Sequence, residues 1–311
     1  MTKLSIVGAV ALAVASVSVA DAKPSNVVVF GDSLVDSGNV FLATGGATPA
    51  AAQGYFQGRF QDGYNFADLL NLELTGAPTV ASLAGGNNWA WGGSRGTGVG
   101  GFAVPGLNAQ AGDFLLNGPR GFTASSLVIL NFGGNDVFGL QSGDTGGLSS
   151  ADFADLYVSN MVGAITALDA LGAGRILVMG VPNPTAAGLM LDSMLQTALN
   201  GIEPGLDATL YRFSYADFYS RILSDPTSYG FPPIIDTQTP CIAARPVVNG
   251  QIDCTGFFSF DGTHFTGQVH RALASDLRQV LGIPEPATWS LMILGFGAVG
   301  IALRRRQPLA A

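Results

Sequence analysis

Short runs of consecutive apolar residues recur along the chain at Asn26 to Phe30, Leu127 to Phe132 and Arg175 to Val181, with a weaker one at Thr209 to Phe213. The first three stop at turn residues: Gly31, Gly133-Gly134 and Pro182. Short β-branched runs bounded in this way predict buried strands of a parallel sheet. Between them the spacing changes. Phe153, Leu156, Tyr157, Met161, Ile165, Leu168 and Leu171 recur at helical intervals, predicting a helix over Ser150 to Leu171 that Gly172 stops. Leu189 to Leu199 and Val269 to Leu281 are further predicted helices. Strands alternating with helices predict one α/β domain with helices on both faces of its sheet.

One stretch lacks a period. Gly85 to Gly112 is glycine-rich and contains a Gly-x-Gly-x-x-Gly match at Gly96, Gly98 and Gly101. No strand is predicted to lead into it and no helix to open from it, so dinucleotide binding is excluded.

The composition supports a buried core: 48% of residues are hydrophobic and only 12% are charged. The net charge of −8 and the scattered Lys and Arg leave no basic face, which excludes a nucleic-acid partner. Both ends carry address signals rather than fold. Lys3, the apolar run Leu4 to Val19 and the small-x-small site Ala20-Asp21-Ala22 predict a secretory signal over residues 1–22. At the other end, Pro284-Glu285-Pro286 precedes an apolar stretch, Ala287 to Leu303, and then Arg304-Arg305-Arg306. That order resembles the PEP-CTERM sorting signal of Gram-negative bacteria. The resemblance implies an exosortase as processing partner, transient anchoring through the C-terminal helix, and a secreted or cell-surface body. The domain division is therefore 1–22, 23–282 and 283–311. Cys241 and Cys254 are the only cysteines. In an oxidising compartment they are expected to form one disulfide, contributing about 3 kcal/mol in the chain-entropy picture.

The candidate chemistry lies where the strands end, the edge at which open α/β sheets bind ligands. The first run leads into Gly31-Asp32-Ser33-Leu34 and the second into Gly133-Gly134-Asn135-Asp136; Phe260-Asp261-Gly262-Thr263-His264 precedes the last helix. A serine, an amide and an Asp/His pair on one edge suit acyl transfer. The imidazole takes the hydroxyl proton, the carboxylate fixes the imidazole, and N–H groups receive the oxyanion. The chain has two histidines. His264 sits beside a carboxylate, whereas His270 falls inside the last predicted helix as a surface or packing residue. So few imidazoles, with both thiols paired, leave no zinc site. Asp32 and Asp136 are expected to bond to local backbone N–H groups.

These residues resemble the GDSL, or SGNH, hydrolases from Val28 to Thr266. Val29 to Asn39 is similar to the family's first block, with Ser33 as nucleophile. Asn88 to Arg95 resembles the second, which implies Gly93 as a backbone oxyanion donor. Gly133 to Asp136 matches the third, implying Asn135 as an amide donor beside the N–H of Ser33. Asp261 to His264 matches the last and implies Asp261 and His264 as acid and base. Gly58-Arg59-Phe60-x-Asp62-Gly63 and Asp225-Pro226-x-x-Tyr229-Gly230-Phe231 resemble the plant-type lipase subgroup, although Phe260 and Phe265 replace its frequent Trp and Pro. The resemblance implies a three-layer α/β/α, flavodoxin-like fold with a mostly parallel sheet and no metal or organic cofactor.

Rival readings remain at this stage. Gly92-Gly93-Ser94-Arg95-Gly96 fits the Gly-x-Ser-x-Gly elbow, but that elbow needs a strand before it and a helix after it. Trp89 and Trp91 are expected to pack beneath the loop rather than to form a sugar platform. The expected activity is carboxylic-ester hydrolysis on a lipid or small-molecule ester. An exopolysaccharide O-deacetylase and a non-catalytic surface or matrix binding protein are the alternatives.

Overall fold

The structure is a computed structural model and describes residues 24–119, 122–248 and 251–283. The predicted signal (1–22) and all but Ile283 of the C-terminal segment (283–311) lie outside the described residues.

Four strands, β1 (Asn26–Gly31), β2 (Ser126–Asn131), β3 (Arg175–Met179) and β4 (Thr209–Phe213), form a parallel sheet in the order β1-β2-β3-β4. The register runs Val28 to Val128 to Ile176 to Leu210 across the sheet. Side chains alternate between faces along each strand, so the sheet separates two cores. Val27, Val29, Leu127, Ile129, Leu177 and Met179 face one. Val28, Phe30, Val128, Leu130, Ile176 and Val178 face the other.

The first core is closed by α2 (Phe66–Thr75), α7 (Tyr215–Ser224) and α9 (Gly267–Val280), and the second by α3 (Leu107–Asn117), α5 (Ser150–Ala170) and α6 (Ala186–Ile202). Two shorter helices, α1 (Asn39–Ala43) and α4 (Gly134–Ser142), begin just beyond β1 and β2. A one-turn helix, α8 (Cys241–Ala244), and a small hairpin of β5 (Val247–Val248) and β6 (Gln251–Ile252) form a separate lobe. The three-layer α/β expectation is met. Local chemistry starts the helices: Asn65 and Asp68 make a capping box on α2, and Ser149, Thr185, Ser214 and Thr266 cap α5, α6, α7 and α9.

The glycine-rich stretch departs from the expectation. Residues 87–91 run alongside β1, with Val29 N–H donating to the Asn87 carbonyl at 3.0 Å, Trp89 N–H to Val29 at 2.8 Å and Trp91 N–H to Gly31 at 3.0 Å. The bridge between Val29 and Asn88 is parallel. The α3 helix then opens inside the stretch at Leu107. Both escaped the sequence because Asn87-Asn88 carries no apolar alternation and the α3 N-cap is Gly106, which offers no capping side chain. With residues 87–91 outside β1, consecutive connections leave β1 in opposite directions. That is a topological switch point of the flavodoxin type, and it lies between β1 and β2, where a ligand crevice is expected.

Candidate active site

Gly31 ends β1 in a crowded place. A Cβ there would stand 2.7 Å from the Asn131 carbonyl and 2.4 Å from Val35 Cγ2. The Gln110 side chain holds this glycine on both sides, accepting from its N–H and donating to its carbonyl, each at 2.9 Å. The chain then turns tightly, with Asp36 N–H donating to the Asp32 carbonyl at 2.9 Å, and presents Ser33 at the sheet edge. Asp36 stitches this turn to its neighbours. One carboxylate oxygen accepts from the N–H of Gly38 and Asn39, each at 2.7 Å, and the other from Gly92 N–H at 2.9 Å. The residue next to the second block's Gly93 is thereby tied to the loop that carries Ser33.

Gly93 has φ +83°, a left-handed conformation, and a Cβ there would meet the Phe102 ring at 2.6 Å. From β2, Gly133 turns the chain into α4. Asn135 Nδ2 donates to the Ser94 carbonyl at 2.9 Å. Asp136 accepts from Gly96 N–H at 2.9 Å, Thr97 N–H at 3.0 Å and Thr97 Oγ1 at 2.8 Å. The Asp136 partners lie some forty positions away in sequence rather than locally, so that expectation is corrected: its buried side chain fastens the glycine-rich loop to α4. Asp32 does make the expected local bond, accepting from Leu34 N–H at 3.0 Å, and also accepts from Asn131 Nδ2 at 3.0 Å. Burial pushes Asp32 up to about 7, with the charge of Asp136 adding to the effect.

From the far end of the chain, the Phe260-to-Phe265 turn brings His264 against Ser33. His264 Nε2 stands 2.8 Å from Ser33 Oγ, and its Nδ1 stands 2.6 Å from Asp261 Oδ2. Asp261 Oδ1 accepts from the N–H of Thr263 at 2.9 Å and of His264 at 2.8 Å. Burial opposes the Asp261 charge, but the hydrogen bond and charge of His264, with these N–H groups, outweigh it and hold the carboxyl down to about 2. The Phe60 ring lies 5.1 Å from the imidazole. Ser33, His264 and Asp261 thus form one continuous hydrogen-bonded chain. Ser33, Gly93, Asn135 and His264 share a cleft of about 440 Å³ whose other walls include Val40, Phe60, Phe102, Val104 and Phe138.

The profile of GDSL-like lipases and acylhydrolases matches residues 27–277. The chain belongs to that family. The GDSL chain is similar to a GDSL esterase/lipase of Arabidopsis thaliana, 31% identical over 283 residues that cover 73% of this chain and 74% of the relative. It is also similar to a phosphatidylcholine-sterol acyltransferase of Aeromonas hydrophila, 26% identical over 264 residues, covering 76% and 70%. Among solved structures it resembles a psychrotrophic esterase of Pseudoalteromonas, at TM-score 0.40 and 14% identity over 83% of this chain and 97% of that one. A PEP-CTERM protein-sorting motif matches residues 282–306.

The remaining singled-out residues have structural places. Ser94, the serine of the Gly-x-Ser-x-Gly match, is fully buried, donates to the Pro105 carbonyl at 2.8 Å and accepts from Gln110 at 2.9 Å. Trp89 packs edge-on against Phe114. His270 is a packing residue: it is fully buried, stacks on Phe66 and accepts from Phe66 N–H at 3.3 Å. Cys241 and Cys254 are joined, with Cα atoms 5.5 Å apart. Three residues of the site's framework were missed in sequence: Asp36, Gln110 and Tyr55, whose hydroxyl donates to Asp261 Oδ2 at 2.8 Å. Asp36 lies inside the first block and was legible as a candidate. The other two had no signal, since each meets its partner only through the fold.

Proposed function

We propose that this GDSL chain is an exported serine hydrolase of carboxylic esters, with Ser33 as nucleophile, His264 as general base and Asp261 as the carboxylate that orients it. The observation that carries the reading is the chain of contacts from Ser33 Oγ to His264 Nε2 at 2.8 Å and from Nδ1 to Asp261 at 2.6 Å, opening into an apolar cleft.

His264 Nε2 takes the Ser33 proton as Oγ attacks the ester carbonyl carbon. The negative charge that develops on the carbonyl oxygen is received by the N–H groups of Ser33 and Gly93 and the Asn135 amide. Nε2 then gives its proton to the departing alcohol, leaving the acyl group on Ser33. A water deprotonated by the same nitrogen attacks the acyl carbon; the bond to Oγ breaks, Nε2 returns its proton to Ser33 and the carboxylic acid leaves. Asp261 stays ionised throughout and compensates the imidazolium at Nδ1.

The apolar walls of the cleft favour an ester with a hydrocarbon acyl chain over an acetyl group on a polysaccharide. A binding protein without catalysis would have no need of the Ser33–His264–Asp261 geometry. The sorting motif supports export in a Gram-negative cell, with handling of residues 283–311 by an exosortase; on this reading residues 1–22 are a removed signal and 23–282 the working body outside the cytoplasm. The test is hydrolysis of p-nitrophenyl esters from acetyl to palmitoyl, beside the Ser33→Ala variant. Turnover abolished in the variant is expected; a variant as active as the parent would sink the assignment.

A further inference from the structure

Tyr55 lies in a loop three residues before Gly58 and 206 positions from Asp261. It follows a single helical turn, Ala51–Gln53, that ends at Gly54 with φ +96°. Its hydroxyl donates to Asp261 Oδ2 at 2.8 Å, and the same oxygen faces His264 Nδ1 at 2.6 Å. The Oδ1 oxygen accepts from the backbone N–H of Thr263 and His264 at 2.9 and 2.8 Å. Each carboxylate oxygen therefore has two partners, which uses its lone-pair directions in full.

Packing fixes where the hydroxyl sits. The Tyr55 ring stands edge-on to Phe260, with centroids 5.1 Å apart, and edge-on to Phe60 at 6.5 Å. Phe260 is fully buried against the disulfide of Cys241 and Cys254. Phe60 in turn lies against the His264 ring. Burial, then the hydrogen bond to Asp261 and its charge, push the phenol well above its ordinary value. The hydroxyl keeps its proton at any working pH, so it is the donor.

We propose that Tyr55 is a positioning residue for ester hydrolysis: by sharing Asp261 Oδ2 with His264 it sets the plane of the carboxylate and limits the charge offered to the imidazole. The proposal rests on the reading of Ser33, His264 and Asp261 as nucleophile, base and orienting carboxylate. Two consequences follow from removing the hydroxyl alone. The carboxylate plane loses one of its restraints, which lowers kcat. Oδ2 also carries more charge toward Nδ1, which stabilises the imidazolium and moves the acid limb of kcat/KM to higher pH. KM is unaffected, because the hydroxyl touches no substrate.

Other titrating groups around the pair are the same in wild type and variant. Asp32, beside Ser33, is pushed up to about 7 by burial. Burial, then the charges of His264 and Arg271, hold His270 of α9 down to about 3, so it stays neutral. The shift between the two proteins thus isolates Tyr55.

The experiment compares the full-length protein with Tyr55→Phe, which keeps the ring and its packing. Expected is a fall in kcat of about tenfold, the order lost with one hydrogen bond to a charged group, at unchanged KM. The acid limb should move up by about half a pH unit. A kcat within twofold of wild type with an unmoved limb would overturn the proposal. So would a lower kcat with a lower Tm and an unmoved limb, the pattern of a purely structural residue. The low-field proton resonance of the Asp261–His264 hydrogen bond gives a readout that needs no turnover. It should move in Tyr55→Phe, and an unchanged resonance counts against the proposal. Ser33→Ala runs in parallel: turnover retained there refutes the triad itself, whereas its loss beside a wild-type-like Tyr55→Phe refutes only the role of Tyr55.

Discussion

Asn135 makes the sharpest test of the proposed oxyanion site, because its two amide hydrogens have different surroundings. One is held by the Ser94 carbonyl at 2.9 Å, and the side chain lines the cleft with Ser33 and Gly93. The other hydrogen has no protein acceptor among the described residues, which is what the proposed oxyanion role requires. Asn135→Ala removes both at once, but the two losses appear in different measurements. Losing a preorganised oxyanion donor lowers kcat by about 100- to 1,000-fold, equivalent to about 3 to 4 kcal/mol of transition-state stabilisation. Losing the bond to Ser94 costs about 1 kcal/mol of stability. For a domain of this size that lowers Tm by about 2 to 4 °C. Asp136 still fastens Gly96 and Thr97 to α4, so the loop is expected to remain in place. The assay is steady-state hydrolysis of a p-nitrophenyl ester at 25 °C with a thermal melt of the same preparation. A folded variant with kcat within a few-fold of wild type would refute the oxyanion role.

Other consequences are open to measurement. Replacing Cys241 and Cys254 together by Ser releases a 13-residue separation and is expected to cost about 3 kcal/mol, a Tm loss of roughly 6 to 12 °C; an unchanged Tm would show that the lobe does not unfold with the domain. Phe102 is 73% exposed yet forms one wall of the cleft, so Phe102→Ala should raise KM about tenfold for octanoyl and longer esters and leave acetyl esters unchanged. An equal effect on every chain length would remove Phe102 from the acyl path. Burial raises the carboxyls of Asp32 to about 7 and Asp36 to about 6, above the value near 3.9 that they have in the unfolded chain. The folded state then holds protons that the unfolded state has released, so stability is fully present below about pH 4 and declines as pH rises to about 7. Their contribution predicts a lower Tm at pH 8 than at pH 5, with a smaller difference in Asp32→Asn; an equal slope in that variant would exclude Asp32 as a source.

Legibility in the sequence tracked the range of the interactions involved. Strands β1 to β4 and helices α5, α6 and α9 were readable because their apolar spacing and stops are local. The 87–91 edge segment and α3 were not, because glycines separate them from any periodic pattern and their order comes from pairing with β1 and packing against Phe30 and Trp89. Asp136 illustrates the same limit. Its residue type suggested a local turn bond, whereas the fold offers it three donors from Gly96 and Thr97.

The amino-acid order by itself determined that the chain is α/β and that Ser33, Asn135, Asp261 and His264 are its candidate chemistry, with Gly93 added by the resemblance to the GDSL blocks. The α/β class and the four side chains follow from spacing and from which residue types stand at strand ends or precede the last helix. Only the tertiary structure decided that His264 reaches Ser33 across 231 positions while Ser94 is sealed beneath the loop. It alone decided that Tyr55 shares Asp261 and that Phe60 and Phe102 wall the cleft. The reason is physical. Hydrogen-bond strength and desolvation depend on distances of a few ångströms between groups remote in the chain, and sheet pairing and two-sided packing set those distances.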